Sequence, residues 1–124
     1  MKIKYFKAAD LDRNLKCTVH KSGKLGFTEA AIKKLDLENK RFVKIGQGEE
    51  IENSEDLYMT VQSEEDEYTF KANKAGDYFY VNTKALFDML DIDYKKKSVM
   101  YDIIEMEEKG EIYYKLKRRE KERK

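Results

Sequence analysis

The same succession of patterns occurs twice along this chain, and that repetition limits the folds open to it. The first copy is HKSGKLGFTEAAIKKLDL at residues 20–37, and the second is NKAGDYFYVNTKALFDMLDI at residues 73–92. Each copy opens with a polar residue, a lysine, a small residue and a glycine, and each closes a helical pattern with Leu-Asp and an aliphatic residue. Recurrence of one pattern indicates recurrence of one supersecondary unit.

The first copy predicts a β-hairpin that is followed at once by a short helix. Alternating apolar residues flank a turn at 21–23, where Gly23 can adopt the positive φ of a tight hairpin. Thr28 is the predicted N-cap of a helix over 28–37, because an apolar stripe recurs there every three or four residues. The alternating segments RFVKIG and LYMTV then predict two more strands, which complete the unit.

The second copy predicts the same elements in the same order. YTFKANKAGDYFYV predicts a hairpin with its turn at 73–76, and NTKALFDMLDI predicts a helix over 83–91, opened by its Asn or its Thr. SVMYDIIEM and EIYYKL predict two strands joined by a turn at Gly110. The sequence therefore predicts an α+β fold, mostly antiparallel sheet, built from two tandem hairpin–helix–hairpin repeats over 15–62 and 67–117.

A unit of about 45 residues buries too little surface to be stable alone. Two units can share one core by pairing their strands about a pseudo-two-fold axis, which closes the exposed edges into a barrel-like sheet. Residues 1–117 are therefore predicted to form a single domain, followed by a basic tail at 118–124. Another division stays open, a ββββα unit similar in order to single-strand binders of the Whirly or transcriptional-coactivator type. Its strands begin near positions 41, 57, 67 and 77, and its helix begins at position 83.

Charge is unevenly distributed, although the net charge is only +1. Residues 1–46 carry +7, residues 47–67 carry −9, residues 68–114 carry −2 and residues 115–124 carry +5. A basic excess attracts anionic partners such as nucleic acid. Charge runs also occur on solvated faces and tails, so both interpretations stay open.

The residue types that catalysis or metal binding needs are sparse. His20 is the sole histidine and lacks the Cys and His partners of a zinc site. Cys17 is the sole cysteine, and its alternating neighbours predict a small core residue. Acid pairs such as Glu49-Glu50 lack the spacing of a calcium loop, and no glycine-rich phosphate motif or nucleophile elbow is present. The protein is therefore predicted not to be an enzyme and to use no cofactor or metal.

The sequence also predicts a cytoplasmic location without a membrane partner. No apolar run approaches the roughly 20 residues that span a bilayer. Residues 1–16 lack the uninterrupted apolar core of a secretory signal. A single cysteine suits a reducing compartment.

Residues 19–45, VHKSGKLGFTEAAIKKLDLENKRFVKI, resemble the AbrB/MraZ-type swapped-hairpin domain. Gly23-Lys24 matches the family's Gly-Arg/Lys turn. The strand that follows it, the helix ending in Leu-Asp-Leu and the spacing to FVKI match as well. Two positions depart from the family pattern, since Thr28 stands where the family usually has Pro and Asp36 where it often has Gly.

The resemblance implies a DNA-binding regulator or the antitoxin of an operon, and two fused copies resemble the tandem MraZ arrangement. The basic excess of the first copy suits phosphate contacts, which counterion release would drive. We expect Lys21 and Lys24 to share one face with two lysines of the helix, whereas Asp77 and Asp88 make the second copy repel phosphate. The predicted phosphate contacts are Lys16, Lys21, Lys24, Lys33 and Lys34, with Lys40, Arg41 and Lys44 secondary.

Two other functions remain open from the sequence. Tyr78, Phe79 and Tyr80 beside Lys74 form either a stacking platform for single-stranded nucleic acid or ordinary core packing. The basic segment YYKLKRREKERK forms either a nucleic-acid arm or the end of a strand with a soluble tail. A role as a protein-interaction or structural domain, with a protein partner or as a homodimer, also stays open, because a fold alone does not fix a function.

Overall fold

A computed structural model describes residues 1–6, 8, 15–48 and 55–122 of the chain. Within these residues, eight strands and two short helices follow the order that the repeated pattern predicts. Their bounds are β1 Lys16–Val19, β2 Lys24–Phe27, α1 Glu29–Leu35, β3 Phe42–Gly46, β4 Leu57–Gln62, β5 Phe70–Ala75, β6 Tyr78–Asn82, α2 Lys84–Met89, β7 Lys97–Glu108 and β8 Glu111–Glu122.

The strands close into one antiparallel barrel, in the order β1-β2-β6-β5-β3-β4-β8-β7, with β7 pairing back onto β1. Strands β1–β2, β3–β4, β5–β6 and β7–β8 form four hairpins, and the pairs β1–β7, β2–β6, β3–β5 and β4–β8 join the hairpins. The predicted barrel-like, mostly antiparallel domain is therefore confirmed. The elements of the alternative ββββα unit occur in that order as β3 to β6 and α2, but they do not form a separate unit, because the first hairpin belongs to the same barrel.

Alternate side chains of the strands point into a single core. Cys17 and Val19 of β1 are fully buried, and so is Val81 of β6. The helices add further apolar side chains, among them Leu35 from α1 and Phe87 from α2. Burial of each large apolar side chain contributes about 1.5–3 kcal/mol relative to exposure, so strand alternation is the main source of stability.

Helix α1 begins as its sequence predicts, but it ends at Leu35, two residues before the predicted end. The Thr28 side chain accepts a hydrogen bond from the Ala31 N–H at 3.3 Å, which confirms Thr28 as the N-cap. Asp36 adopts the left-handed conformation with φ 53°, and the Leu37 N–H donates to the Ile32 carbonyl at 3.1 Å. Asp tolerates this conformation better than most residues. That tolerance explains how it can stand where the family often has Gly.

Helix α2 ends in the same way but begins differently. Asp91 has φ 57°, and the Ile92 N–H donates to the Phe87 carbonyl at 3.0 Å. Thr83 precedes the helix without capping it, because its buried hydroxyl donates instead to the Gly23 carbonyl at 2.8 Å. This bond ties the first hairpin to the start of α2. Neither helix of the described residues has the length and apolarity that a membrane crossing requires.

Helix α2 ends at Met89 and not at the predicted position 91, because Leu90 caps it and Asp91 turns left-handed. Two strand boundaries also differ from the sequence prediction. The second hairpin turns at Gly76-Asp77 and not over 73–76, since Gly76 supplies a positive φ of 64° and Asn73 already pairs with Tyr80. Strand β8 continues to Glu122, into the segment that the sequence assigns to a basic tail, because it pairs with β7 along its whole length. Of the acidic loop, residues 49–54 lie outside the described residues.

Candidate functional site

The five lysines predicted to contact phosphate lie in three places. Lys21 and Lys24 are exposed at the β1–β2 tip, which comprises residues 20–24. Lys16 lies at the other end of β1, where it pairs in register with Asp102 of β7. The remaining two, Lys33 and Lys34, lie on α1, which follows the far end of β2. The structure therefore does not bring the tip lysines and the helix lysines together.

The helix lysines already have acidic partners. Lys33 Nζ lies 3.5 Å from a Glu29 carboxylate oxygen, one turn away on the same helix. Lys34 Nζ lies 3.0 Å from a Glu105 carboxylate oxygen on β7. Exposed ion pairs contribute little stability, about 0–1 kcal/mol, but they lower the positive potential that a phosphate would meet.

Two of the secondary contacts are paired as well. Arg41 lies 3.5 Å from the Glu38 carboxylate. Lys44 lies 2.8 Å from the Asp66 carboxylate. The third, Lys40, is exposed and forms no ion pair with a carboxylate of the described residues. Four of the eight predicted phosphate contacts, Lys33, Lys34, Arg41 and Lys44, therefore already have acidic partners within the protein.

The β1–β2 tip differs because its cations are uncompensated and its backbone is anchored. Neither Lys21 nor Lys24 forms an ion pair with a carboxylate of the described residues. The His20 N–H donates to the Lys24 carbonyl at 2.9 Å, and the Gly23 N–H donates to the His20 carbonyl at 2.8 Å. Gly23 has φ 86° and packs against the backbone and side chain of Lys84 in α2. The two ammonium groups therefore project from a fixed turn.

The aromatic run on β6 is divided between the two sides of the sheet. Phe79 is 1% exposed and belongs to the core, whereas Tyr78 and Tyr80 are half-buried on the outer face. Lys74 does not lie beside the tyrosines. Its Nζ pairs with Glu38 at 2.5 Å and stands 5.8 Å from the centre of the Phe79 ring. The core-packing interpretation is therefore confirmed for Phe79, whereas Tyr78 and Tyr80 stay partly accessible on the outer face.

A glycine creates the space in which Tyr78 lies. An ideal Cβ built on Gly26 would lie only 1.6 Å from the Tyr78 hydroxyl oxygen and 2.5 Å from His20 Nε2. The Tyr78 ring therefore crosses strand β2 at Gly26, and its hydroxyl hydrogen-bonds with the ring of His20, the residue that follows β1. The contact thus links β6, β2 and the β1–β2 tip. A glycine within a strand is the sequence signal of such a close approach.

The same outer face continues from Tyr78 to Tyr80 and Lys24. The two tyrosine rings are nearly parallel, at 23°, with their centroids 6.4 Å apart. Lys24 Nζ stands over the Tyr80 ring, 4.6 Å from its centre. Partial burial raises the pKa of Tyr78, so its phenol stays neutral over the physiological range. We call His20, Lys24, Gly26, Tyr78 and Tyr80 the tyrosine face.

The β5–β6 turn and helix α2 offer a poorer surface for phosphate than the β1–β2 tip. Asp77 is exposed at the turn that corresponds to the β1–β2 tip. Asp88 on α2 accepts hydrogen bonds from Lys84 Nζ at 2.6 Å and from the Tyr94 hydroxyl at 2.5 Å. The bond from Lys84, followed by that from Tyr94, lowers the pKa of Asp88. This carboxylate is therefore ionised at neutral pH and holds α2 to the segment that follows it.

Reactive groups are few among the described residues. Cys17 is fully buried, and burial, reinforced by nearby Asp102, raises the pKa of its thiol well above the usual range. It is therefore a protonated core residue, as the sequence predicts. No cluster of three or more His, Cys, Asp or Glu suited to a metal ion occurs in the described part of the chain.

Known proteins give no further assignment for this surface. No family model matches the chain, and neither the curated proteins nor the solved structures contain a significant match. Its chemistry is therefore inferred from its own residues.

Proposed function

We propose that this protein binds DNA through phosphate contacts, as a cytoplasmic, non-enzymatic regulator of the kind that the AbrB/MraZ resemblance implies. The observation that carries the proposal is the pair Lys21 and Lys24 on the anchored β1–β2 tip, which has no carboxylate partner among the described residues. An exposed lysine without an acidic partner can approach a phosphate without breaking an internal ion pair. Counterions released from the DNA then drive association.

The strand order supports the tandem-repeat part of this proposal. Each strand of β1–β4 has a counterpart four places later in β5–β8. If every strand is exchanged with its counterpart, the order around the barrel is the same, read in the opposite direction. Corresponding strands pair with each other in β2–β6 and β4–β8, and β1–β7 corresponds to β5–β3. The left-handed residues Asp36 and Asp91 end the two helices alike. We therefore propose a pseudo-two-fold α+β domain in which 15–62 and 67–117 are the two halves of a dimer-like unit in one chain.

The two halves are unequal in their proposed function. The tip of the first half carries Lys21 and Lys24, whereas the corresponding turn of the second half carries exposed Asp77. Lys33 and Lys34 are secondary contacts, because each would have to leave its carboxylate to reach a phosphate. The proposed DNA contact is therefore one-sided and centred on the first hairpin.

A titration at two salt concentrations, about 50 and 200 mM, tests the proposal on duplex and single-stranded DNA. Replacing Lys21 and Lys24 with Glu should weaken binding and reduce the magnitude of the salt slope by about 1.8, since each lost phosphate contact removes about 0.9. The matched control replaces exposed Lys95 and Lys96 with Glu, which changes net charge equally but lies between α2 and β7. That control should keep the wild-type slope.

Stability should change little in either variant, because exposed charge substitutions usually stay within about 0.5 kcal/mol. Urea unfolding of both variants checks this point.

The proposal fails if the wild type shows no salt-dependent binding to DNA. It also fails if the two variants lose affinity and slope equally, because the effect would then come from net charge and not from the β1–β2 tip.

A second candidate function, protein binding, is favoured by an aromatic patch on the outer face of β3, β4 and β8. Tyr58 and Tyr113 are neighbours there, with ring centroids 6.1 Å apart, and Tyr68 lies in the same shallow groove at 68% exposure. Exposed aromatic groups that lie together mark protein interfaces. Light scattering over a concentration series tests whether the partner is a second copy of this chain.

A further inference from the structure

We infer that the tyrosine face is a base-stacking platform, which makes the protein prefer unpaired nucleotides to duplex DNA. The inference rests on the proposed function, because the phosphate contacts of the β1–β2 tip would deliver a strand to this face. It goes further by naming the form of nucleic acid that is bound and the residues that select it.

The first argument is that the tyrosines are held in place. Tyr78 has only one location compatible with its contacts, since it fills the space left by Gly26 and its hydroxyl bonds with His20. Tyr80 lies nearly parallel to it at a centroid distance of 6.4 Å. Rings that are already ordered lose little entropy when a ligand stacks on them, so they bind more tightly than freely rotating rings.

The second argument is the position of Lys24 relative to Tyr80. Its ammonium group stands 4.6 Å from the ring centre in the free protein, which is a cation–π contact on an exposed face. The flexible stem of a lysine allows the ammonium to move from the ring to a nearby phosphate. A base can then take its place on the ring, so that one nucleotide satisfies both side chains.

The third argument concerns which form of DNA exposes the faces of its bases to the tyrosine rings. The bases of duplex DNA present only their edges in the grooves, because their faces are covered by neighbouring base pairs. Rings that lie against the outside of a barrel cannot reach those faces. An unpaired strand exposes them, and stacking on aromatic side chains tolerates every base. The tyrosine face, together with the uncompensated cation Lys21 beside it, therefore suits a single strand.

The experiment compares three ligands with the same number of phosphates per strand: an oligothymidine, an abasic oligonucleotide and a duplex. Wild-type protein should bind the oligothymidine about tenfold or more tighter than the abasic strand, which carries charge but no bases. Tyr80→Ala should abolish this difference while leaving abasic binding unchanged, and Tyr80→Phe should retain it. Lys21→Glu should weaken binding of both single strands by the same factor. The matched control, Tyr5→Ala, removes an exposed tyrosine that precedes β1 and belongs to neither the tyrosine face nor the aromatic patch, and it should change neither.

The outcomes separate this inference from the proposed function. Equal, salt-dependent binding of oligothymidine and abasic strand would overturn the stacking platform and leave the phosphate contacts standing. Tighter binding of the duplex than of the oligothymidine would overturn it as well. No binding of any ligand would overturn both. Urea midpoints establish that the Tyr80 variants are folded. Gly26→Ala, which displaces Tyr78 without removing it, provides a second variant that should weaken oligothymidine binding alone.

Discussion

The contact between Gly26 and Tyr78 predicts that the effect of Gly26→Ala on stability depends on whether Tyr78 is present. Gly26→Ala places a methyl group 1.6 Å from the Tyr78 hydroxyl oxygen and 2.6 Å from its ring carbon Cζ, so the tyrosine must leave. The backbone at Gly26 does not adopt positive φ, so alanine itself fits the strand. The loss in the free energy of unfolding therefore comes entirely from the displacement of the Tyr78 and His20 side chains.

The expected magnitude follows from what is lost and what is gained. The hydrogen bond between Tyr78 and His20 contributes about 0.5–1.5 kcal/mol, and the lost partial burial of the tyrosine adds a similar amount. Replacing glycine by alanine at a compatible position restores about 0.4–1 kcal/mol through the unfolded chain. Gly26→Ala should therefore destabilise the protein by about 1 kcal/mol. In a Tyr78→Ala background it should be neutral or slightly stabilising, which gives a coupling energy of about 1–2 kcal/mol.

Urea unfolding of the wild type, both single variants and the double variant measures this coupling. Gly23→Ala is the matched contrast, since Gly23 has φ 86° and its added Cβ would lie 2.9 Å from the Lys84 backbone. It should destabilise the protein equally with or without Tyr78. If Gly26→Ala costs the same free energy in both backgrounds, the steric argument is wrong, and the glycine is needed for some other reason.

Three further predictions concern individual side chains. Thr28→Ala should lower the free energy of unfolding by about 1 kcal/mol in urea titrations, whereas Thr28→Ser should retain most of it, because the cap bond needs only the hydroxyl oxygen. Because the folded pKa of Asp88 lies below its unfolded value, the stability that it contributes is complete above about pH 4 and is lost as pH falls through the folded pKa. Urea midpoints between about pH 5 and pH 3 should therefore fall less in Asp88→Asn than in the wild type, and an equal fall would contradict the argument. Cys17 should react with a thiol reagent only as fast as the protein opens, so labelling should accelerate with urea, and rapid labelling of native protein would show that the thiol is accessible.

The local elements could be predicted from the sequence because their causes are local. Gly23 and Thr28 signal a turn and a cap through their own chemistry, and strand alternation shows which residues are buried. The length of β8 could not be predicted in this way. Its last residues are mostly charged and look like a tail, yet cross-strand partners such as Met100 opposite Arg119, and the 3.2 Å ion pair of Lys97 with Glu120, extend the ladder.

The candidate site was only partly predictable from the sequence, because some of its contacts join residues that meet only in the folded barrel. Lys21 and Lys24 could be found because a glycine turn places its neighbours at a hairpin tip. The pairing of Lys34 with Glu105 could not, since the two residues lie in different repeats and meet only in the closed barrel. The contact of Tyr78 with His20 requires three neighbouring strands in register, and Gly26 was its only trace in the sequence.

The acidic segment 47–67 supplies carboxylates that pair with basic side chains on two parts of the barrel. Its Asp66 neutralises Lys44 at 2.8 Å. Residues 55 and 56 of the same segment lie within 3.8 Å of basic side chains on β8. What remains at the β1–β2 tip is a pair of lysines, and a contact with two phosphates gives a salt slope of only about −1.8. Useful affinity then requires contacts other than charge, which is the part that the tyrosine face would supply.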